Sequence, residues 1–180
     1  YGNIVIQLNS QLLIQNDFKF DNMGQNDTHF QGRERGFRNG WVGYLQHSTM
    51  TYKYSTGLLS LGRGNPFYNS LNDDLLLNAN FPPSEFIRFK HNIDWFEYDW
   101  SLVLLNELDS FNRFLTFHRY GINNNIWRIG FSEATLVAYD IMTSKHVGYL
   151  MPSALLLETE ANRGDNANLM WLIDIMYKGG

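Results

Sequence analysis

From Ile87 to Phe96 the chain alternates. Ile87, Phe89, His91, Ile93 and Trp95 fall on one side of an extended backbone, and Arg88, Lys90, Asn92 and Asp94 on the other. A period of two marks a strand with one apolar and one polar face. Trp127, Ile129 and Phe131 alternate in the same way with Arg128, Gly130 and Ser132. So do Leu169, Trp171, Ile173, Ile175 and Tyr177, against a less polar set that includes Asp174. The pattern is weaker again where Tyr98, Trp100, Leu102 and Leu104 oppose Asp99, Ser101, Val103 and Leu105. The alternation predicts strands over 4–14, 41–50, 52–62, 87–96, 98–106, 113–121, 126–133, 153–160 and 167–177. No segment of helical length holds a 3.6-residue period. The nearest candidate, 70–79, is stopped by Pro82 and Pro83.

The predicted links alternate too. Residues 15–40, 63–86 and 134–152 are long connections, whereas the turns near Thr51, Glu97 and 122–125 are tight. The remaining links, 107–112 and 161–166, are of moderate length. An up-and-down transmembrane barrel has this asymmetry, with short turns at one rim and long loops at the other. Ten residues at about 3.3 Å each, tilted near 45°, span about 23 Å, close to the apolar band of such barrels. The expected fold is all-β: an antiparallel up-and-down transmembrane β-barrel, with about nine strands of a larger barrel present. Nine is odd, and an open sheet would leave two unpaired edges in lipid. Residues 1–180, which begin at Tyr1 with no leader, therefore read as a fragment of one outer-membrane barrel domain. A soluble antiparallel sheet also alternates and is the competing expectation.

Composition narrows the choice. Aromatic residues make up 16% of the chain and charged residues 18%. The links are rich in Asn and Gly, a mixture that favours strands and turns over helices. No apolar run is long enough for a transmembrane helix, but a spanning strand needs only about 9–11 residues. With no cysteine, a disulfide-stapled domain and a thiolate zinc site are excluded. The net charge of −4 weighs against a nucleic-acid partner.

The chemistry-bearing residues point to binding more than to catalysis. The five histidines lack metal-ligand spacing, and Asp73-Asp74 and Asp165-Asn166 do not match a calcium loop, so no cofactor or metal is expected. His118 and Glu133 lie on neighbouring predicted strands and suit acid–base work, but nothing supplies a third partner. The polar strand faces would line a lumen. There Asp94, Asp99, Arg119, Glu133 and Asp174 are expected to brace the wall by pairing across strands. Arg63, Arg88, Lys90 and Arg128, with the loop residues Phe67, Tyr68 and Asn69, are the expected polysaccharide contacts. Arginine forks onto acidic groups, and aromatic and amide side chains suit neutral sugars. Trp41, Trp95, Trp100, Trp127 and Tyr177 fall at or near predicted strand ends, where membrane proteins carry aromatic girdles.

Several motifs in order resemble the Wzi family of outer-membrane capsule-assembly proteins. They are Leu61-Gly62-Arg63 with Phe67-Tyr68, then Asp74-Leu75-Leu76-Leu77-Asn78-Ala79-Asn80-Phe81-Pro82-Pro83 and Ile87-Arg88. Phe117-His118-Arg119 and Arg128-Ile129-Gly130-Phe131-Ser132-Glu133-Ala134 follow, then Tyr149-Leu150-Met151-Pro152 and Asp165-Asn166. The chain departs from the family pattern at Asn65-Pro66-Phe67-Tyr68-Asn69, where Trp-Gly is usual, and at Met151, where Asn is usual. The resemblance implies a non-enzymatic barrel in the bacterial outer membrane, bounded by outer-membrane lipid. It would hold capsular or surface polysaccharide through its extracellular loops. A porin-like channel and a soluble β-sheet carbohydrate-binding module are the alternatives.

Overall fold

A computed structural model describes residues 2–21, 42–66, 83–108, 110–153, 156 and 167–179. The fold is all-β. One sheet contains β1 (Gly2–Gln7), β2 (Leu12–Asp21), β3 (Val42–Tyr54), β4 (Gly57–Gly64) and β5 (Ser84–Ile93). It continues through β6 (Phe96–Leu108), β7 (Phe111–Asn123), β8 (Trp127–Tyr139) and β9 (Asn168–Tyr177). Sheet order equals sequence order and each neighbouring pair is antiparallel. Strands β1 and β9 are the two edges of the sheet. A single helical turn, α1 (Ser144–Val147), runs into a 3-10 turn at Gly148–Leu150. No helix among the described residues is long and apolar enough to cross a membrane.

The strand number agrees with the sequence, but two of the strands differ. The predicted strand 4–14 is a hairpin, β1 and β2. Asn9 breaks it, because its side-chain Oδ1 accepts from the backbone N–H groups of Gln11 and Leu12, both at 2.8 Å, and so closes the turn. The predicted strand 153–160 is not a strand where it is described. Ser153 lies in a turn and Leu156 is helical. The consecutive leucines 155–157 never alternated. The second tight turn falls at Ser55-Thr56, not near Thr51, so β3 runs on through Lys53 to Tyr54. The helical candidate at 70–79 lies outside the described residues.

The links separate by end. Residues 8–11, 55–56, 94–95 and 124–126 turn the chain at one end of the sheet. Residues 22–41, 65–83 and 140–167 connect strands at the other. The exception at that end is the two-residue link 109–110, shorter than expected, where Ser110 adopts a positive φ of 69°. Strands β3, β6, β7 and β8 each have 13 residues. At about 3.3 Å per residue and a tilt near 45°, that is about 30 Å across, more than the apolar band of a transmembrane barrel requires.

Register gives the sheet two unlike faces. Rows of cross-strand neighbours such as Met50, Leu61, Ile87 and Leu102 make an apolar face. Rows such as Lys90, Asp99, Arg119 and Ser132 make a polar one. The apolar face is open over much of its area. Ile4, Ile6, Ile87, Ile129, Trp171, Ile173 and Ile175 are all exposed. Towards the short-turn end it carries a continuous aromatic band. Tyr54 meets His91 at 5.6 Å, Phe89 meets Tyr98 at 6.1 Å, and Tyr98 meets Tyr120 at 5.4 Å between ring centroids. Trp127 packs on Tyr177 at 4.8 Å at the ends of β8 and β9, and Trp95 sits in the β5–β6 turn. Trp100 departs from the expectation: it is buried in the middle of β6. Trp41 lies outside the described residues.

Two clusters bury the rest. On the apolar face the β8–β9 link folds back, and Tyr149 and Leu156 pack with Phe114, Val137 and Ala167. On the polar face, towards the long-link end, Phe86, Val103, Leu115, Phe117 and Ala134 pack together across β5 to β8.

Candidate functional site

The polar face divides along the sheet. From β5 to β9 Arg88, Arg119 and Arg128 are each neutralised across strands. Arg88 forks onto Asp99, with Nε to Oδ1 at 2.9 Å, and its Nη1 donates to the Pro66 carbonyl at 2.6 Å. Arg128 pairs with Glu97 at 2.9 Å, and Glu97 also accepts from Asn123. Arg119 is bidentate on Asp174, at 2.6 and 2.8 Å, and donates to Ser132 Oγ at 2.9 Å. Such forked pairs fix strand against strand and leave little charge for a ligand. Gly130 makes room for one of them. A Cβ there would lie 2.2 Å from Arg119 Nη2 and 2.5 Å from Asp174 Oδ2.

From β2 to β5 the same face is open. A groove of about 590 Å³ lies over these strands. Its floor is β4, whose residues on this side are Leu58, Ser60, Gly62 and Gly64. Small side chains between larger neighbours produce the depth. Gly62 has φ +139°, and a Cβ on it would meet the Ser48 carbonyl oxygen at 2.0 Å, so only glycine lets β3 and β4 approach here. The walls carry Gln15, Thr49, Thr51, Asn65, Phe86 and Arg88. Thr51 and Ser60 share a hydroxyl hydrogen bond at 2.9 Å. Asp17 lies 3.3 Å from the His47 imidazole at the long-link end. Lys53 and Lys90 stand at the short-turn end, one on each side of Leu58 in a single cross-strand row. Neither lysine has a carboxylate within ion-pair distance among the described residues. The groove therefore offers hydroxyls, amides and two ammonium groups outside any direct ion pair: donors for a hydroxylated, negatively charged ligand.

The predicted contacts are dispersed. Lys90 and Arg88 line the groove, although Arg88 is already committed to Asp99. Arg128 is on the polar face of β8, three strands from β5. Arg63 faces the apolar side, in one row with Ser48 and Glu85, and pairs with Glu85 at 2.7 Å. Phe67, Tyr68 and Asn69 lie outside the described residues. Two of the predicted braces need correction. Asp94 is not on the lumen-type face. It occupies the β5–β6 turn with φ 50°, exposed, because a two-residue hairpin needs a residue that tolerates positive φ. Glu133 is on the apolar face, in one row with His118 and Trp171. Parity would have found this, since Glu133 follows Phe131 by two residues. It is 2% exposed beneath the β8–β9 link, and its Oε2 accepts from the Leu156 N–H at 3.3 Å. Sequence reasoning also missed Lys53, because the misplaced turn near Thr51 assigned it to the wrong strand.

No group of three or more His, Asp and Glu side chains is placed to hold a metal among the described residues. His118 and Glu133 are direct cross-strand neighbours, both buried. Comparison with protein-family models, with curated proteins and with solved structures finds no match to this chain.

Proposed function

We propose that these strands are part of the wall of a non-enzymatic β-barrel in the bacterial outer membrane, which holds capsular or surface polysaccharide at the cell surface. The observation that carries the membrane reading is the open apolar face. Isoleucine, leucine and tryptophan side chains are exposed across β1 to β9, with an aromatic band at the short-turn end. In water such a face would be far larger than the few hundred Å² that soluble monomers leave uncovered. In lipid it is the expected wall, with the aromatics at an interface. The long links then belong to the outer rim. The ordered motifs that resemble the Wzi family supply the polysaccharide role, and the hydroxyl-lined groove on the opposite face supports it.

The intact protein should require detergent for extraction and should run faster on gels before heating than after, as folded barrels do. Recovery as a folded monomer in detergent-free buffer would overturn the membrane reading in favour of a soluble carbohydrate-binding module. The porin-like alternative is separated by conductance. The apolar cluster around Val103 and Phe117 on the polar face favours a poorly conducting lumen, so planar bilayers should show little current.

A further inference from the structure

We infer that the groove over β3 to β5 is a binding track for an anionic sugar chain, whose charges are held by Lys53 and Lys90. The inference rests on the polysaccharide reading and names the ligand class of that site.

Charge on this face is assigned pair by pair. Arg88, Arg119 and Arg128 each hold a carboxylate, and on the other face Arg63 does the same. A wall built only for bracing would treat Lys53 and Lys90 likewise, but they face each other across Leu58 with no carboxylate within ion-pair distance among the described residues, and Lys90 acts on Glu97 only through the longer-range field between them. Asp99, directly across from Lys90, is already forked by Arg88. Lysine is a compact charge on a flexible stem, suited to single anionic groups spaced along a chain. Two strand spacings separate the two backbones, about 10 Å, so the ammonium groups can meet two charges of one ligand.

The remainder of the track matches sugar hydroxyls. From His47 to Lys53 the groove follows seven residues of β3, six rises or about 20 Å, which suits an extended chain rather than a single sugar. Thr49, Thr51 and Ser60 present hydroxyls between the lysines and the Asp17–His47 pair. Asp17 at the long-link end accepts from hydroxyls and repels anions, so it orients the acidic groups towards the lysines. Phe86 gives an apolar wall against which a sugar ring can pack.

The test uses the intact protein in detergent, with its folding checked by the gel shift on heating. Binding is measured by calorimetry for an oligogalacturonate, for a phosphodiester-linked oligosaccharide and for a malto-oligosaccharide of equal length. At least one anionic chain should bind at least tenfold more tightly than the neutral one, with affinity falling as salt rises. Lys53→Gln and Lys90→Gln should each weaken it about tenfold, in line with the loss of one charge-assisted hydrogen bond. If the neutral chain binds as tightly as both anionic ones, the inference fails and the polysaccharide reading stands. Anionic binding that survives the double substitution in a folded barrel also overturns it. A folded barrel that binds none of the three would remove the polysaccharide reading as well.

Discussion

Strands β2 to β5 and strands β5 to β9 share one polar face but treat it differently. In the second region Arg88, Arg119 and Arg128 are each locked onto an acid one or two strands away. A cluster around Phe117 is sealed beside those pairs. In the first region small residues open a groove, and two lysines stand unpaired within it. Polarity on a strand face does not by itself mark a binding surface. What separates the two regions is whether each charge already has a partner. The paired half is a wall, and the unpaired half is the place where a ligand can supply the missing charges.

Substitutions can break that contrast. The largest expected effect is at Phe117, 3% exposed in the sealed region. Phe117→Ala should cost about 3–5 kcal/mol of unfolding free energy in detergent, followed by urea denaturation, with the sugar affinity of surviving folded protein unaltered. Arg119→Ala comes next. It strands Asp174, whose side chain is 32% exposed and so partly rescued by water, and the loss should be about 2 kcal/mol. Adding Asp174→Ala should recover part of it in a double-mutant cycle. Glu133→Ala removes the acceptor for the Leu156 N–H and should cost about 1–2 kcal/mol, with faster hydrogen exchange at that amide as the local readout. Lys53→Gln should change stability by less than about 0.5 kcal/mol, since its side chain is exposed and braces nothing. A large stability loss there would place Lys53 in the wall and erase the distinction between the two regions.

Much of this was legible in the sequence. Period-two alternation placed β5, β6, β7, β8 and β9 close to where they lie, because an apolar face and a polar face impose it directly. The misreadings have local causes. Asn9 and Ser10 closed a turn inside a run that otherwise alternated, so two strands read as one. Ser48, Thr49 and Thr51 resemble turn residues but lie within β3, Thr49 and Thr51 in the hydroxyl wall of the groove, while the true turn is marked by Ser55-Thr56-Gly57. Moving that turn by four residues hid Lys53. The partners that neutralise Arg88, Arg119 and Arg128 could not be read at all, since they depend on cross-strand register, which no single strand encodes. The packing of Leu156 over Glu133 is likewise a long-range contact, invisible to a periodicity of two.

Because sheet order repeats sequence order, each strand finds its partner in the segment made just before it. No strand must wait for a distant one, and no link crosses another. At one end the closing segments are a few residues long, so those hairpins form at small entropic cost. The longer links at the other end add little more, because the cost of closing a loop rises only with the logarithm of its length. Assembly can therefore advance by one hairpin at a time, each new strand offering its unpaired backbone groups as the template for the next.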